Sequence, residues 1–257
     1  MLLHGFMGAP SSWDGVLALL NERGALSEVT VLRPFLPGHS RPAEQLQVFD
    51  ESNRDRGTTS LDAAADVLAN MIPHGDRALV AGYSMGARLA LGIAARHPSR
   101  VAGLILMSVH PGLPEGSARE ERRRWDEMQA RSLREDGLIP FVDAWERMPF
   151  FESQRGLPQA ALAAQRETRL GHGGESLALA MCGLGLGRQP DFSAGFNCPA
   201  MLLAGEFDSK FVGLHSLIAA RNPGTTNRTV RGAGHNLPLE APLAVADAIE
   251  QMLHHQS

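Results

Sequence analysis

Two cysteines in 257 residues, Cys182 and Cys198, cannot build a disulfide framework, so the default is a reducing compartment. Basic charge is not in excess. The formal net charge of −4 removes the electrostatic footprint of a nucleic-acid binder. Lysine is nearly missing: Lys210 is the only one, so almost every fixed cation is an arginine, whose planar fork suits a carboxylate. No apolar run approaches the roughly 18 residues of a membrane span. The N-terminus has neither a charged n-region nor a long apolar core. The terminal "HHQS" is too short for a metal tract, and no internal repeat is present. Together these absences predict a soluble cytoplasmic protein with no membrane or nucleic-acid partner.

What is present is a chain 44% hydrophobic, enough for one well-buried core. Short apolar runs alternate with helical patterns. "TVLRPFLPG" (30–38) reads as a strand running into a loop. "SLDAAADVLANMI" (60–72) reads as a helix with Ser60 as its N-cap. "RALVAG" and "VAGLILMS" lack alternation, as strands buried on both faces do. "AMLLAGEFDSKF" and "NRTVRGAGHN" repeat the strand-then-loop pattern, and "PLAVADAIEQMLHH" closes as an amphipathic helix. The alternation predicts an α/β fold with a mostly parallel, doubly wound sheet. Residues 112–196 carry no strand pattern, only Arg-, Glu- and Ala-rich helical stretches. The expected organisation is a core of 1–111 and 197–257 with a helical cap insertion at 112–196. The long polar stretch 38–60 could be mobile or help form a pocket mouth.

The chemistry centres on "ALVAGYSMGARLALGIAARHP" (78–98). Gly82 and Gly86 flank Ser84 and let a strand turn abruptly into a helix, which lifts the serine hydroxyl at the carboxyl end of the sheet. "LLHGFMG" (2–8) is a strand end and a loop whose Phe6 amide, with the Met85 amide, can form an oxyanion hole, while His4 orders the loop. "GEFDSKF" and "GAGHNLPLE" put Asp208 and His235 just past the next two strands. The order Ser84, Asp208, His235 is the order of a nucleophile–acid–base triad on the α/β-hydrolase fold. Glu206 is the competing acid. Asp208 is preferred because it lies further into the loop, where it can reach the imidazole. That fold usually has one or two strands before the His-Gly loop, so the first edge of the sheet is expected to be missing. A homodimer or another segment could then cover it.

Around the serine the cations are arginines. Arg88 follows Ser84 by one helical turn. Arg119, Arg122 and Arg123 share a helix face, with Glu115, Glu120 and Glu121 interleaved as on a solvated surface. Taken with "HPGL", the Trp145 segment, "QPDF", "DSKF" and "AGHN", these stretches resemble the 2-succinyl-6-hydroxy-2,4-cyclohexadiene-1-carboxylate synthases of menaquinone biosynthesis over nearly the whole chain. The resemblance implies a lyase that eliminates pyruvate without a cofactor or metal, with Ser84, Asp208 and His235 as triad. It further implies that Arg88, Arg122 and Arg166 bind carboxylates of a small polycarboxylate substrate, with Arg169 as the alternative to Arg166. Tyr83 and Trp145 would line the pocket, and Phe6 and Met85 would hold an oxyanion. A serine carboxylesterase acting through an acyl-enzyme is the alternative, and it would need neither Arg88 nor Arg122.

Overall fold

A computed structural model describes residues 1–39, 47–50 and 59–254. Among the described residues five parallel strands lie in sequence order: β1 (Leu2–Leu3), β2 (Ala78–Tyr83), β3 (Val101–Met107), β4 (Ala200–Gly205) and β5 (Thr226–Val230). Helices α1 (Asp14–Glu22), α2 (Ser60–Ala69) and α3 (Met85–Arg96) come before β3. Helices α4 (Ser117–Glu135), α5 (Leu138–Glu146), α6 (Gln159–Leu170) and α7 (Gly174–Gly183) separate β3 from β4. The chain ends with α8 (Ser209–Arg221), the short α9 (Leu237–Glu240) and α10 (Pro242–His254).

The strands without alternation are buried on both faces because two helical layers cover the sheet. Val80, Leu104, Leu106 and Leu202 join α2, α3 and α8 in one apolar cluster. Their neighbours Ala81, Tyr83, Ile105, Met107, Met201 and Leu203 face the other way, into a cluster built with Trp13 just before α1, Val16 and Leu20 of α1, and Val245 and Ile249 of α10. The period of two along each strand thus divides the core into two layers. A third cluster belongs to the helices between β3 and β4. Leu133, Phe141, Val142, Trp145, Leu177 and Met181 pack on Met7 and against Phe6. These helices therefore rest on the loop leaving the carboxyl end of β1.

Two local expectations are corrected. Segment 30–38 forms no strand ladder. One backbone bond, from Leu2 N–H to the Leu32 carbonyl (2.8 Å), ties it to β1. The short β1 offers few residues to pair with, and Pro34 and Pro37 have no N–H to contribute. Helix α2 is capped by Thr59, one residue before the expected Ser60. The Thr59 hydroxyl accepts from the Asp62 N–H (3.1 Å), and the Asp62 carboxylate accepts from the Thr59 N–H (3.1 Å). The reciprocal pair satisfies two donors, which a cap at Ser60 without an acid three residues on would not do. Most of the polar stretch 38–60 lies outside the described residues. Among the described helices none is long and apolar enough to cross a membrane.

Candidate active site

Ser84 joins β2 to α3 with φ 52° and ψ −108°, a conformation that L side chains rarely adopt. Two flanking positions must be glycine for the corner to close. A Cβ on Gly82 would run into the backbone of Gly86 and Ala87, and one on Gly86 into the carbonyls of Leu3 and His4. The strained turn holds the hydroxyl clear of the sheet and aims the N-terminus of α3 at whatever sits beside it.

The hydroxyl is the first member of a hydrogen-bonded chain. His235 Nε2 lies 3.1 Å from Ser84 Oγ, and His235 Nδ1 lies 2.7 Å from Asp208 Oδ2. Both Asp208 and His235 are buried. Glu206, the competing acid, points elsewhere: its carboxylate accepts from the Gly232 N–H (2.9 Å) and steadies the loop before His235. Ser108, at φ 48° just past β3, donates its hydroxyl to the His235 carbonyl (2.9 Å) and fixes that backbone. Chemically, such a chain can draw the serine proton toward the imidazole while the carboxylate holds the ring.

Phe6 and Met85, whose amides the sequence predicts to form the oxyanion hole, both line the cavity that holds Ser84. Among the described residues neither N–H has an acceptor. His4 orders the first of these loops. Its Nε2 accepts from the Leu36 N–H (3.1 Å), so Nδ1 carries the hydrogen and donates to the Gly5 carbonyl (2.8 Å). Burial pushes the His4 pKa down to about 3, which keeps the ring neutral.

The cavity over Ser84 has a volume of about 400 Å³. Its walls are Phe6, Tyr83, Trp125, Trp145, Phe150 and Phe151, and its cations are Arg88, Arg122 and Lys210. Asp208 is the one carboxylate among the described lining residues, and it is bound to His235. Arg88 is buried. Its Nη1 donates to the Leu184 carbonyl (2.5 Å) and to Gln189 Oε1 (3.1 Å), leaving Nε and Nη2 without an acceptor among the described residues. Burial, then the nearby Arg122, lowers its pKa to about 10. Arg122 uses only Nε, on Asp126 (2.8 Å), and stacks over Trp125 at 4.6 Å. Two guanidinium groups thus enter one cavity with donors to spare.

Tyr83 packs edge-on to His235 at 5.4 Å, and burial raises its phenol pKa. Trp145 stacks on Phe141 at 5.6 Å and meets Phe6 edge-on at 5.2 Å, while its buried Nε1 has no partner among the described residues.

Arg166 does not join this group. It lies outside the cavity, 36% exposed, tied to Asp143 (2.6 Å) and Glu146 (2.7 Å). The reason is helix phase. On α6 it is Arg169, three residues on, that turns inward, stacks over Phe151 at 4.9 Å and shares Glu146 (2.9 Å). Arg169 lines a neighbouring cavity that also touches Tyr83, Phe6 and Phe151. Of the arginines on α4 only Arg122 reaches the site. Arg119 is buried against Glu115 and the Gln189 carbonyl, and Arg123 donates to the Gly187 carbonyl (2.9 Å). The interleaved glutamates suggested a solvated face, but this face packs on residues 186–189.

Sequence reasoning missed the residues that hold the arginines. Asp126 is nearly sealed, and it accepts from Arg122 and from the Gly187 N–H (3.1 Å). Gln189 accepts from Arg88 and donates to the His110 carbonyl (3.2 Å). Only the spacing of Arg122 and Asp126, four residues apart on a helix, hinted at the first of these.

Comparison with known proteins agrees with this fold. The alpha/beta hydrolase family matches residues 1–248. The 2-succinyl-6-hydroxy-2,4-cyclohexadiene-1-carboxylate synthase of Salmonella typhimurium is 31% identical over 261 residues, covering 98% of this chain and 92% of the relative. The chain belongs to this synthase family of the α/β-hydrolases. The synthase of Enterobacter sp. is 30% identical over 257 residues, covering 98% of this chain and 90% of its own. Among solved structures, MenH from S. aureus superposes with a TM-score of 0.83 at 27% identity, covering 99% of this chain and 92% of that one. A malate-bound thermophilic esterase from Thermogutta terrifontis follows with 0.79 at 26%, covering 99% and 89%. Family membership places the chain among the synthases of menaquinone biosynthesis.

Proposed function

We propose that this chain eliminates pyruvate from 2-succinyl-5-enolpyruvyl-6-hydroxy-3-cyclohexene-1-carboxylate, giving the cyclohexadiene product of its synthase relatives. One observation carries the reading. Arg88 and Arg122 bring unpaired guanidinium donors into the cavity that holds the Ser84 hydroxyl. A hydrolase of neutral esters gains nothing from two cations there, one of them buried. A substrate with three carboxylates does, because each arginine can grip one bidentately.

The reaction follows from the substrate's own bonds. The ring carbon that carries the succinyl ketone loses its proton to Ser84, whose own proton passes to His235, held by Asp208. The electron pair moves through the ring alkene and breaks the C–O bond to the enolpyruvyl group. Two ring double bonds result, and the leaving enolate takes up a proton to become pyruvate. Charge accumulates on the ketone oxygen meanwhile. The Phe6 and Met85 amides, with the N-terminus of α3, stabilise it there. Tyr83 and Trp145 form the apolar wall that keeps bulk water from the enolate. No acyl-enzyme forms and no cofactor takes part.

A serine carboxylesterase is the second reading, favoured by the likeness to the Thermogutta esterase and by the same hydrogen-bonded chain. Parallel assays of pyruvate release and p-nitrophenyl acetate hydrolysis separate the two. Rapid pyruvate release supports the lyase. Ester hydrolysis without pyruvate supports the esterase.

A further inference from the structure

Two groups in the cavity have no part in that mechanism. His110 lies three residues past β3, and Lys210 lies in the first turn of α8, two residues after Asp208. Lys210 is the only lysine of the chain. Among the described residues it makes no hydrogen bond or ion pair, and its ammonium stands 5.7 Å from the Phe211 ring. Phe211 in turn packs against His235 at 4.9 Å, and Lys210, Phe211 and His235 all line the cavity. Its position is also electrostatically unfavourable. The first turn of a helix carries the positive end of the dipole and disfavours a cation.

His110 faces the same space. Its Nδ1 accepts from the Gly112 N–H (3.2 Å), so in the neutral ring Nε2 carries the hydrogen and is a donor. Burial lowers its pKa to about 4, helped by Lys210 first and then by Arg88 and Arg122. The ring therefore stays neutral at physiological pH and lies within the field of all three cations. Nε2 has no acceptor among the described residues.

We propose that Lys210 and His110 form a second carboxylate subsite, separate from the Arg88–Arg122 pair, which takes the third carboxylate of a tricarboxylate ligand. The proposal rests on reading the cavity as a polyanion site. Lysine suits the rim because its ammonium is a compact point charge on a flexible stem, which can close on a ligand after entry. The neutral imidazole adds a directed donor without another positive charge to desolvate.

The test uses tricarballylate as a tricarboxylate probe and succinate as the dicarboxylate control. Binding is read from the fluorescence of Trp125 and Trp145, which line the cavity. Lys210→Met should weaken tricarballylate about tenfold, the scale of one charge-assisted hydrogen bond, and succinate by less than about twofold. Lys210→Arg should recover most of the loss, and His110→Gln should weaken tricarballylate severalfold. Unchanged tricarballylate affinity in Lys210→Met, equal weakening of both probes, or no tricarballylate binding by the parent protein overturns the subsite. Pyruvate release is scored separately. A parent protein that binds tricarballylate through Lys210 yet releases no pyruvate overturns the proposed reaction and keeps the subsite.

Discussion

Arg122→Ala tests the anion-binding account because the structure makes it a double perturbation. The arginine offers free Nη donors to the cavity, and its Nε also neutralises Asp126, whose side chain is 3% exposed. Loss of a charge-assisted contact to a substrate carboxylate costs about 1.5–3 kcal/mol, or about ten- to a hundredfold in kcat/KM. The substitution also leaves Asp126 with only the Gly187 N–H, a bare carboxylate beside the site. Its repulsion adds to the loss on an anionic substrate. The Arg122 side chain is about one-third exposed, so solvent screens part of that second effect. The double variant Arg122→Ala/Asp126→Asn removes the bare charge. It should recover the repulsive part and keep the binding loss. Steady-state pyruvate release gives kcat/KM for the anionic substrate, and p-nitrophenyl acetate gives the neutral reference, which should change by less than about threefold. Equal losses on both substrates, or none on the anionic one, would refute the reasoning.

Ser84→Ala should abolish both pyruvate release and ester cleavage while circular dichroism stays unchanged. Arg166→Ala should leave KM for the anionic substrate within about twofold, since its exposed pairs with Asp143 and Glu146 contribute at most about 1 kcal/mol to stability; a tenfold rise in KM would return Arg166 to the site. Gly86→Ala drives a Cβ into the Leu3 and His4 carbonyls, and overpacking of this kind costs about 2–3 kcal/mol, or about 5–10 °C in Tm. Acid should destabilise the fold through His4. Its folded pKa of about 3 lies below the unfolded value, so the unfolded chain takes up the proton first as pH falls. Stability from this group is complete above about pH 6.5 and is lost at roughly 1.4 kcal/mol per pH unit below it. Urea unfolding at pH 7 and pH 5 measures the slope, and His4→Gln should flatten it.

Much of the fold could be read from the sequence because its signals are local. The alternation of buried strands and amphipathic helices sets the parallel sheet, and Gly82 and Gly86 fix the corner at Ser84 on steric grounds alone. The Ser84–His235–Asp208 chain could be anticipated because Ser84 follows directly on β2, and Asp208 and His235 lie in the loops that leave β4 and β5. What could not be read depends on rotation and on distant partners. A helix phase error of three residues separates Arg166 from Arg169, and nothing in "QRETRLGHG" says which of them turns inward. The arginines of α4 looked solvated because their glutamates are neighbours in sequence. The stretch 186–189, on which this face packs, is about 65 residues away. Segment 30–38 has strand composition, but the short β1 offers it only one backbone bond.

Pyruvate release measures the central claim most directly. The enolpyruvyl substrate is made with the upstream enzyme, this protein is added, and pyruvate is followed with a coupled assay beside p-nitrophenyl acetate hydrolysis. Rapid release that disappears in Ser84→Ala is the predicted result. Brisk ester hydrolysis with no pyruvate would contradict it and make the arginine-lined cavity that of an esterase.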